Sequence, residues 1–307
     1  MEKPKIITIV GPTATGKSAL GIHLAQKFHG EIINADSMQI YRGLDIGTAK
    51  PSREEQALVP HHLIDFLDLN QTYSAAKFRE QADEIIRKLH KDKIPIFVVG
   101  GTGLYLKVLT KGLFHGPEAN FELRQQLKKR LVQEGSQVLH KELASIDPEA
   151  ASKIHPRDHL RLIRALEVVY QTNRPLSSLH REHGFQERPY QVLKIGLFLP
   201  KEELFRRIEI RIEAMLQKGW IEEVKNLLAQ GYSQEIKPFQ AIGYKQIIMY
   251  LSGQIDFAEM VRLIRRETKA YAKRQITWFR ADPEINWFYA ALENWPPIEE
   301  IVQRFLI

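Results

Sequence analysis

Cysteine is absent from all 307 residues. That excludes disulfides, zinc ribbons, iron–sulfur clusters and a thiol nucleophile. Long apolar runs are missing too. IPIFVV at residues 94–99 and IGLFL at 195–199 are core-strand sized, far short of the roughly 18 residues of a membrane helix. The opening residues, MEKPK, enter a strand-like run directly and show neither the apolar stretch nor the cleavage site of a signal peptide. A cytoplasmic protein without a membrane partner is the expectation. Internal repeats and low-complexity segments are lacking as well. What remains is 44% hydrophobic and 26% charged residues, enough to bury a sizeable core in one large domain or two moderate ones.

No large excess of one charge exists either. The 44 basic and 37 acidic side chains leave a net +7, and each third of the chain is nearly balanced. Residues 261–280 are the exception: Arg262, Arg265, Arg266, Lys269, Lys273, Arg274 and Arg280 stand against one acid, Glu267. Tyr271, Trp278 and Phe279 are interleaved with them. A basic stripe with aromatics suits a nucleic-acid backbone and unstacked bases; a solvated helix face is the plainer alternative. The eleven histidines show no metal-ligand spacing, and the adjacent His61 and His62 point to different sides. That argues against a metal there.

KIITIV at residues 5–10 reads as a buried strand stopped by Gly11 and Pro12. Leu20, Leu24 and Phe28 then recur at four-residue steps and predict a helix over residues 18–28. EIINA at 31–35 is a second strand. Phe78, Ala82, Ile85, Ile86 and Leu89 share one side of a helix over 73–90, and IPIFVV is a third strand, stopped at residues 100–103. Strand and helix alternating in this way indicate a parallel sheet with helical crossovers. The pattern breaks over 113–120, where Gly112, Gly116 and Pro117 intervene. From 121 to about 179 the spacing is helical, cut by Pro148, Pro156 and Pro175. QVLKIGLFL at 191–199 is strand-like, followed by one long amphipathic helix from 202 to about 230, a last strand over 285–289 and a closing helix over 298–306. The expected architecture is an α/β core of residues 1–116 and 196–307, interrupted by an all-helical insertion domain over 117–195.

Gly11, Pro12, Thr13, Ala14, Thr15, Gly16, Lys17 and Ser18 match G-x-x-x-x-G-K-[ST] without a mismatch, between a strand and a helix. The glycines let successive backbone N–H groups turn inward around phosphate oxygens, and the helix N-terminus adds partial positive charge. Lys17 supplies a compact cation, and the Ser18 hydroxyl is the expected Mg2+ ligand. All eight residues are assigned to a di- or triphosphate, and the core becomes a P-loop NTPase-like parallel sheet. The loop does not choose the bond that breaks. A nucleoside triphosphate would lose a phosphoryl group; an organic diphosphate could lose its whole pyrophosphate from carbon.

Asp36 follows a strand, so its carboxylate stands at the carboxyl edge of the sheet, where parallel sheets hold ligands. A turn cap is the structural alternative. The string DSMQIYRGLDIGTAKP at 36–51 is not explained by composition. With GPTATGKS before it, it is followed in order by VPHHLID (59–65), VGGTGLYL (99–106), GYKQ (243–246) and KRQITWFR (273–280). In these blocks, spread over nearly the whole chain, the sequence resembles the bacterial tRNA dimethylallyltransferases, or isopentenyl-diphosphate:tRNA transferases. It departs from them at one place. Members often carry Gln-Arg before the RALE block at 164–167, whereas Leu160 here precedes Arg161.

The resemblance implies transfer of a dimethylallyl group from dimethylallyl diphosphate to N6 of the adenosine 3′-adjacent to the anticodon, in tRNAs reading codons that begin with U. The partners would be dimethylallyl diphosphate and a tRNA anticodon stem-loop, and the enzyme a monomer. An allylic carbon ionises readily when the departing diphosphate is stabilised electrostatically. The base must leave its stack to be modified, and its weakly nucleophilic amine benefits from a carboxylate that accepts the proton. By resemblance, Asp36, Lys17 and Thr102 take the catalytic roles. Contacts to tRNA fall to Asp36, Ser37, Met38, Gln39, Thr102, Arg124, Arg161 and Arg164, and further along to Gly243, Tyr244, Lys245, Lys273, Arg274, Gln275, Trp278 and Arg280. Arg207 and Arg211, four apart, resemble arginines that close over phosphates in related kinases. Rival readings are a P-loop small-molecule kinase in which Asp36 serves magnesium or a hydroxyl, prenyl transfer to free AMP or ADP, and a nucleotide-gated RNA-binding protein. The basic aromatic tract favours a polynucleotide over the first two.

Overall fold

The computed structural model describes residues 2–113, 116–184 and 187–307. Ile6, Ile7, Ile9 and Val10 put apolar side chains on both faces of β1 (Lys5–Val10), and all four are buried. A strand of this kind must be covered on both sides. β1 accordingly lies inside a six-stranded, all-parallel sheet of order β3-β2-β4-β1-β5-β6. Here β2 is Glu31–Asn34, β3 His61–His62, β4 Ile96–Val99, β5 Gln191–Phe198 and β6 Ile285–Tyr289. Ile9 stands opposite Val99, Asn34 opposite the same Val99, and Val10 opposite Gly196. The strands β1, β2 and β4 therefore end together at one edge. From β1 the chain first builds toward β2 and β3, and later returns on the other flank through β5 and β6. A parallel sheet opens a ligand crevice at such a reversal.

Four helices join the first half: α1 (Lys17–Lys27), α2 (Arg53–Leu58), α3 (Ala75–Lys91) and α4 (Gly103–Lys111). Then follow α5 (Phe121–Glu134), α6 (Ser136–Ile146), α7 (Pro148–Lys153), α8 (His159–Thr172) and α9 (Leu176–His183). Between β5 and β6 run α10 (Lys201–Gln217), α11 (Trp220–Ala229), α12 (Tyr244–Leu251) and α13 (Phe257–Arg280), and α14 (Trp295–Leu306) closes the fold. The chain divides into two compact units, residues 1–110 with 189–307, and residues 111–188. The second unit is helical among its described residues and has its own core, including Leu127, Leu139, Leu143, Leu162 and Leu166. Asp147 ties it locally, one carboxylate oxygen accepting from Ala150 N (2.9 Å) and the other from Ser177 N (2.8 Å).

Two expectations change, and one element was missed. The division expected at 117 and 195 lies at 111 and 188. Gln191, Val192 and Leu193 pair with Lys5, Ile6 and Ile7, and a continuous strand cannot be shared between two cores. The single long helix expected over 202–230 is two, α10 and α11, broken at Gly219 with φ 93°, a left-handed conformation that ends a right-handed helix. The two-residue β3 went unread because no periodicity fits into two residues.

Candidate active site

The phosphate loop leaves β1 at Gly11 and enters α1 at Gly16, which caps the helix. Glycine offers no side-chain acceptor, so the first-turn amides of α1 stay open to an anion. The loop holds its own shape: Thr15 Oγ1 donates to Pro12 O at 2.9 Å, and Lys17 Nζ donates to the same oxygen at 2.7 Å. Burial first, and Arg211 second, bring the Lys17 ammonium down to about 7, while Asp36 pulls it the other way. Arg211 on α10 is also lowered by burial and supported by Asp36; as a guanidinium it stays charged. Two buried cationic groups side by side, at the open amides of a helix N-terminus, favour an anion there. The Ser18 hydroxyl lies exposed at the start of the helix.

Asp36 follows β2 and caps its own turn, Oδ1 accepting from Met38 N (2.8 Å) and Gln39 N (3.4 Å). The turn-cap alternative is thus realised on one oxygen; Oδ2 is uncommitted among the described residues. Thr102 holds this turn from the segment between β4 and α4. Its hydroxyl accepts from Ser37 N (3.0 Å) and donates to Ser37 Oγ (3.3 Å), and its amide donates to Ala35 O (3.2 Å). The approach needs Gly100, because a Cβ there would overlap the Ala35 backbone. Gln39 is buried and its amide donates to Thr48 O and Ala49 O, each at 3.1 Å.

Lys17, Ser18, Asp36, Gln39 and Arg211 line a cavity of about 370 Å³, a size suited to a small ligand; Thr102 stands behind its wall, holding Ser37. Ile208, Ile212 and Met215 line it as well. They share one face of α10 with Arg211, at the i, i+3, i+4, i+7 spacing of a helical stripe. Trp220, Tyr244 and Tyr271 contribute aromatic wall. Burial, then the Asp36 charge, raise the Tyr271 phenol well above its ordinary value. Trp220 packs so closely on Gly47 and Gly243 that a Cβ at either would overlap its ring. The Glu223 carboxylate accepts from the amides of Asp45 (3.0 Å), Ile46 (2.6 Å) and Gly47 (3.3 Å) and from Tyr244 Oη (2.7 Å). One acid thereby pins the loop at 45–47 to the aromatic wall.

Not every expected residue reaches this cavity. Arg207 donates to Glu203 (2.8 Å) and Ala290 O (3.3 Å); it sits one turn nearer the start of α10, beside the end of β6, and does not close over the loop. Tyr244 and Gln275 do reach the cavity, but as buried lining residues rather than displayed ones. Gln275 bonds Thr13 N at 2.8 Å and Gly101 O at 3.0 Å. Lys245, Lys273, Arg274, Trp278 and Arg280 are exposed, and Gly243 donates its amide to Gln246 Oε1 (2.7 Å). In the helical unit, Arg124 grips Glu167 through two bonds of 2.9 Å and Arg164 through one of 2.7 Å. Asn120 N adds a fourth bond at 2.8 Å, which satisfies a carboxylate with no exposure. Arg161 is exposed beside Asp158 (3.1 Å), and Leu160 is 82% exposed. Sequence reasoning passed over Glu223, Trp220 and the α10 stripe, and read Tyr271 as part of the basic aromatic tract rather than as cavity wall. The stripe's spacing was legible, but a core face and a cavity wall share it.

The basic tract proves partly neutralised. Arg262 pairs with Glu259 (2.6 Å), Arg265 with Glu213 (2.6 Å) and Lys269 with Glu209. Lys273 lies over the Phe205 ring at 5.5 Å and Arg274 over Tyr271 at 5.7 Å. Among the described residues no three His, Cys, Asp or Glu side chains converge to hold a metal, and no helix is long and apolar enough to cross a membrane.

Known proteins are similar to this chain in sequence and fold. The profile described as IPP transferase matches residues 39–282, and that described as Isopentenyl transferase matches residues 4–65. The chain is 50% identical over 286 residues to "tRNA dimethylallyltransferase 2" of Geotalea uraniireducens, covering 93% of this chain and 92% of that one. To the protein of the same description from Syntrophus aciditrophicus it is 49% identical over 309 residues, covering 100% and 98%. Among solved structures, the tRNA isopentenylpyrophosphate transferase of Bacillus halodurans aligns with a TM-score of 0.74 at 38% identity, over 99% of this chain and 97% of that one. A eukaryotic dimethylallyltransferase, solved acting on tRNA, aligns with a TM-score of 0.81 at 28% identity, over 98% and 77%. A profile that spans most of the chain, and relatives near half identity along its whole length, leave one conclusion: the chain belongs to the IPP transferase family.

Proposed function

We propose that this chain transfers the dimethylallyl group of dimethylallyl diphosphate to N6 of the adenosine 3′-adjacent to the anticodon of a tRNA. One observation carries the reading: a single cavity is lined by the phosphate loop, Arg211, the Asp36 carboxylate and an apolar stripe of α10. Lys17, Arg211 and the first-turn amides of α1 bind the diphosphate. As the carbon–oxygen bond lengthens, its electron pair moves onto the diphosphate, and the positive charge spreads over the allyl group. Fixed donors aimed at the growing charge accelerate such a step. Ile208, Ile212 and Met215 exclude water from the electrophilic carbon. N6 of the adenine then forms the new bond, and its proton passes to Oδ2 of Asp36. The Oδ1 bond to Met38 N and the Thr102 bonds to Ser37 hold that carboxylate in place.

Mg2+ fits the donor set. The Ser18 hydroxyl offers an oxygen ligand, and magnesium usually takes one or two protein oxygens and completes its shell with substrate phosphates and water. Bound there, it supplies charge neutralisation of the leaving diphosphate. The exposed residues Arg161, Lys245, Arg274, Trp278 and Arg280 are the surface side chains assigned to tRNA. Labelled dimethylallyl diphosphate or labelled ATP, offered to unmodified tRNA, to AMP and to no acceptor, tests the reading. Prenyl label in tRNA alone is expected. Prenyl label in AMP, or phosphoryl transfer from ATP, would favour the rival enzymes.

A further inference from the structure

Gln275 lies on α13 among residues assigned to nucleic acid, yet it is 6% exposed. Its amide spans two loops at the carboxyl edge of the sheet. Oε1 accepts from Thr13 N inside the phosphate loop at 2.8 Å, and Nε2 donates to Gly101 O in the turn after β4 at 3.0 Å. The partners fix which way the amide faces, since an N–H needs an acceptor and a carbonyl a donor. A Cβ on Gly101 would overlap Gln275 Nε2, so the amide in this position occupies the space a side chain there would need. Gln275 itself lines the cavity, and the same helix face continues on both sides: Tyr271 lines the cavity too, and Trp278 rests on Gly103. Lys273, Arg274 and Arg280 are exposed. α13 thus displays cations to the outside while it clamps the site from within.

We propose, resting on the reaction above, that Gln275 is a positioning residue for the diphosphate and not a contact for nucleic acid. Its two bonds set the phosphate loop and the 100–103 turn in one register. The Thr13 N–H is committed to Gln275, which fixes the course of the loop from which Lys17 and the α1 amides are aimed. The 100–103 turn carries Thr102, which holds Ser37 and so the Asp36 turn. One side chain thereby governs the separation of the leaving group's cradle from the proton acceptor. Its loss disturbs both diphosphate binding and transfer.

Two variants test this. Gln275→Met keeps length and volume but removes both bonds. Gln275→Glu keeps an acceptor for Thr13 N and regains a donor for Gly101 O only when its carboxyl is protonated. In Gln275→Met, inorganic pyrophosphate affinity is expected to weaken roughly ten- to hundred-fold, as when a buried hydrogen-bonding pair is broken. Its kcat for transfer falls too, while affinity for an anticodon stem-loop RNA holds. Gln275→Glu, relative to wild type, recovers pyrophosphate affinity as pH is lowered; Gln275→Met does not. Unchanged pyrophosphate affinity in Gln275→Met, or loss of RNA affinity alone, overturns the role. So does a fall in melting temperature with equal loss of both affinities and no recovery of Gln275→Glu at low pH. Wild type in the same series separates the failures: its inability to prenylate tRNA contradicts the reaction, whereas equal pyrophosphate binding by wild type and Gln275→Met contradicts the positioning.

Discussion

Lys17 shows how a single ammonium reports on its site. Burial and the neighbouring Arg211 hold it at about 7 before any anion arrives. At pH 8.5 the ligand-free side chain is therefore mostly neutral, and a bound diphosphate restores its charge. Binding should take up a proton, approaching about one per site between the lowered and the ordinary lysine value. Calorimetry of pyrophosphate binding in buffers of different ionisation heat measures this uptake, with Lys17→Met subtracting the ligand's own protons. Equal uptake by both proteins would show that Lys17 is already charged. The sign for stability follows from the same shift: Lys17 contributes a stability that rises as pH climbs from about 7 toward 10.5, because the unfolded chain then binds the extra proton. Asp36 carries the second residue-scale prediction. Asp36→Asn keeps an acceptor for Met38 N but loses basicity, so single-turnover transfer should fall by roughly a hundred- to ten-thousand-fold, with both substrate affinities nearly intact. A magnesium titration that restores the rate would instead make Asp36 a metal ligand. Both residues were legible because their chemistry is local to a motif. Arg207 and Arg211 were not separable, since four-residue spacing cannot say which turn of α10 meets the loop.

Elements explain what the residues cannot. α13 reads in the sequence as a uniform cationic stripe, but carboxylates from its own first turn and from α10 occupy Arg262, Arg265 and Lys269. Sequence counts charges; only packing shows which are spent. Removing Arg274 or Arg280 should lower the slope of log RNA affinity against log salt by roughly one unit or less, while removing Arg262 should leave it unchanged. Titrations at several salt concentrations would decide, and equal slopes for all three variants would contradict this division of the helix. The aromatic wall gives a second element-scale test. Gly47→Ala pushes a methyl into the Trp220 ring, and overpacking of this kind costs about 1–3 kcal/mol. Thermal melting should show the loss, and the smaller Trp220→Leu in the same chain should relieve much of it. An unaltered melting temperature in Gly47→Ala would mean that the wall yields freely.

At the scale of the whole molecule, strand–helix alternation and an intact phosphate motif were enough to read a parallel sheet with its ligand edge. The boundary of the helical unit was not legible to a few residues: the strand from Gln191 could be read, but its pairing with Lys5, which ties it to the sheet, is a long-range fact. Nor could sequence reveal that Gln275 and Glu223, both far along the chain, return to fasten loops of the first hundred residues. The central claim is that one cavity joins a leaving diphosphate to the exocyclic amine of an adenosine in RNA. Its most direct measurement is nucleoside mass spectrometry after incubation with dimethylallyl diphosphate and an unmodified anticodon stem-loop, beside a stem-loop bearing purine riboside in place of the target adenosine. The account predicts N6-dimethylallyladenosine from the first RNA, one per molecule, and no prenylated nucleoside from the second, which lacks N6. Prenylation of both RNAs, or of neither while free AMP is prenylated, would contradict it.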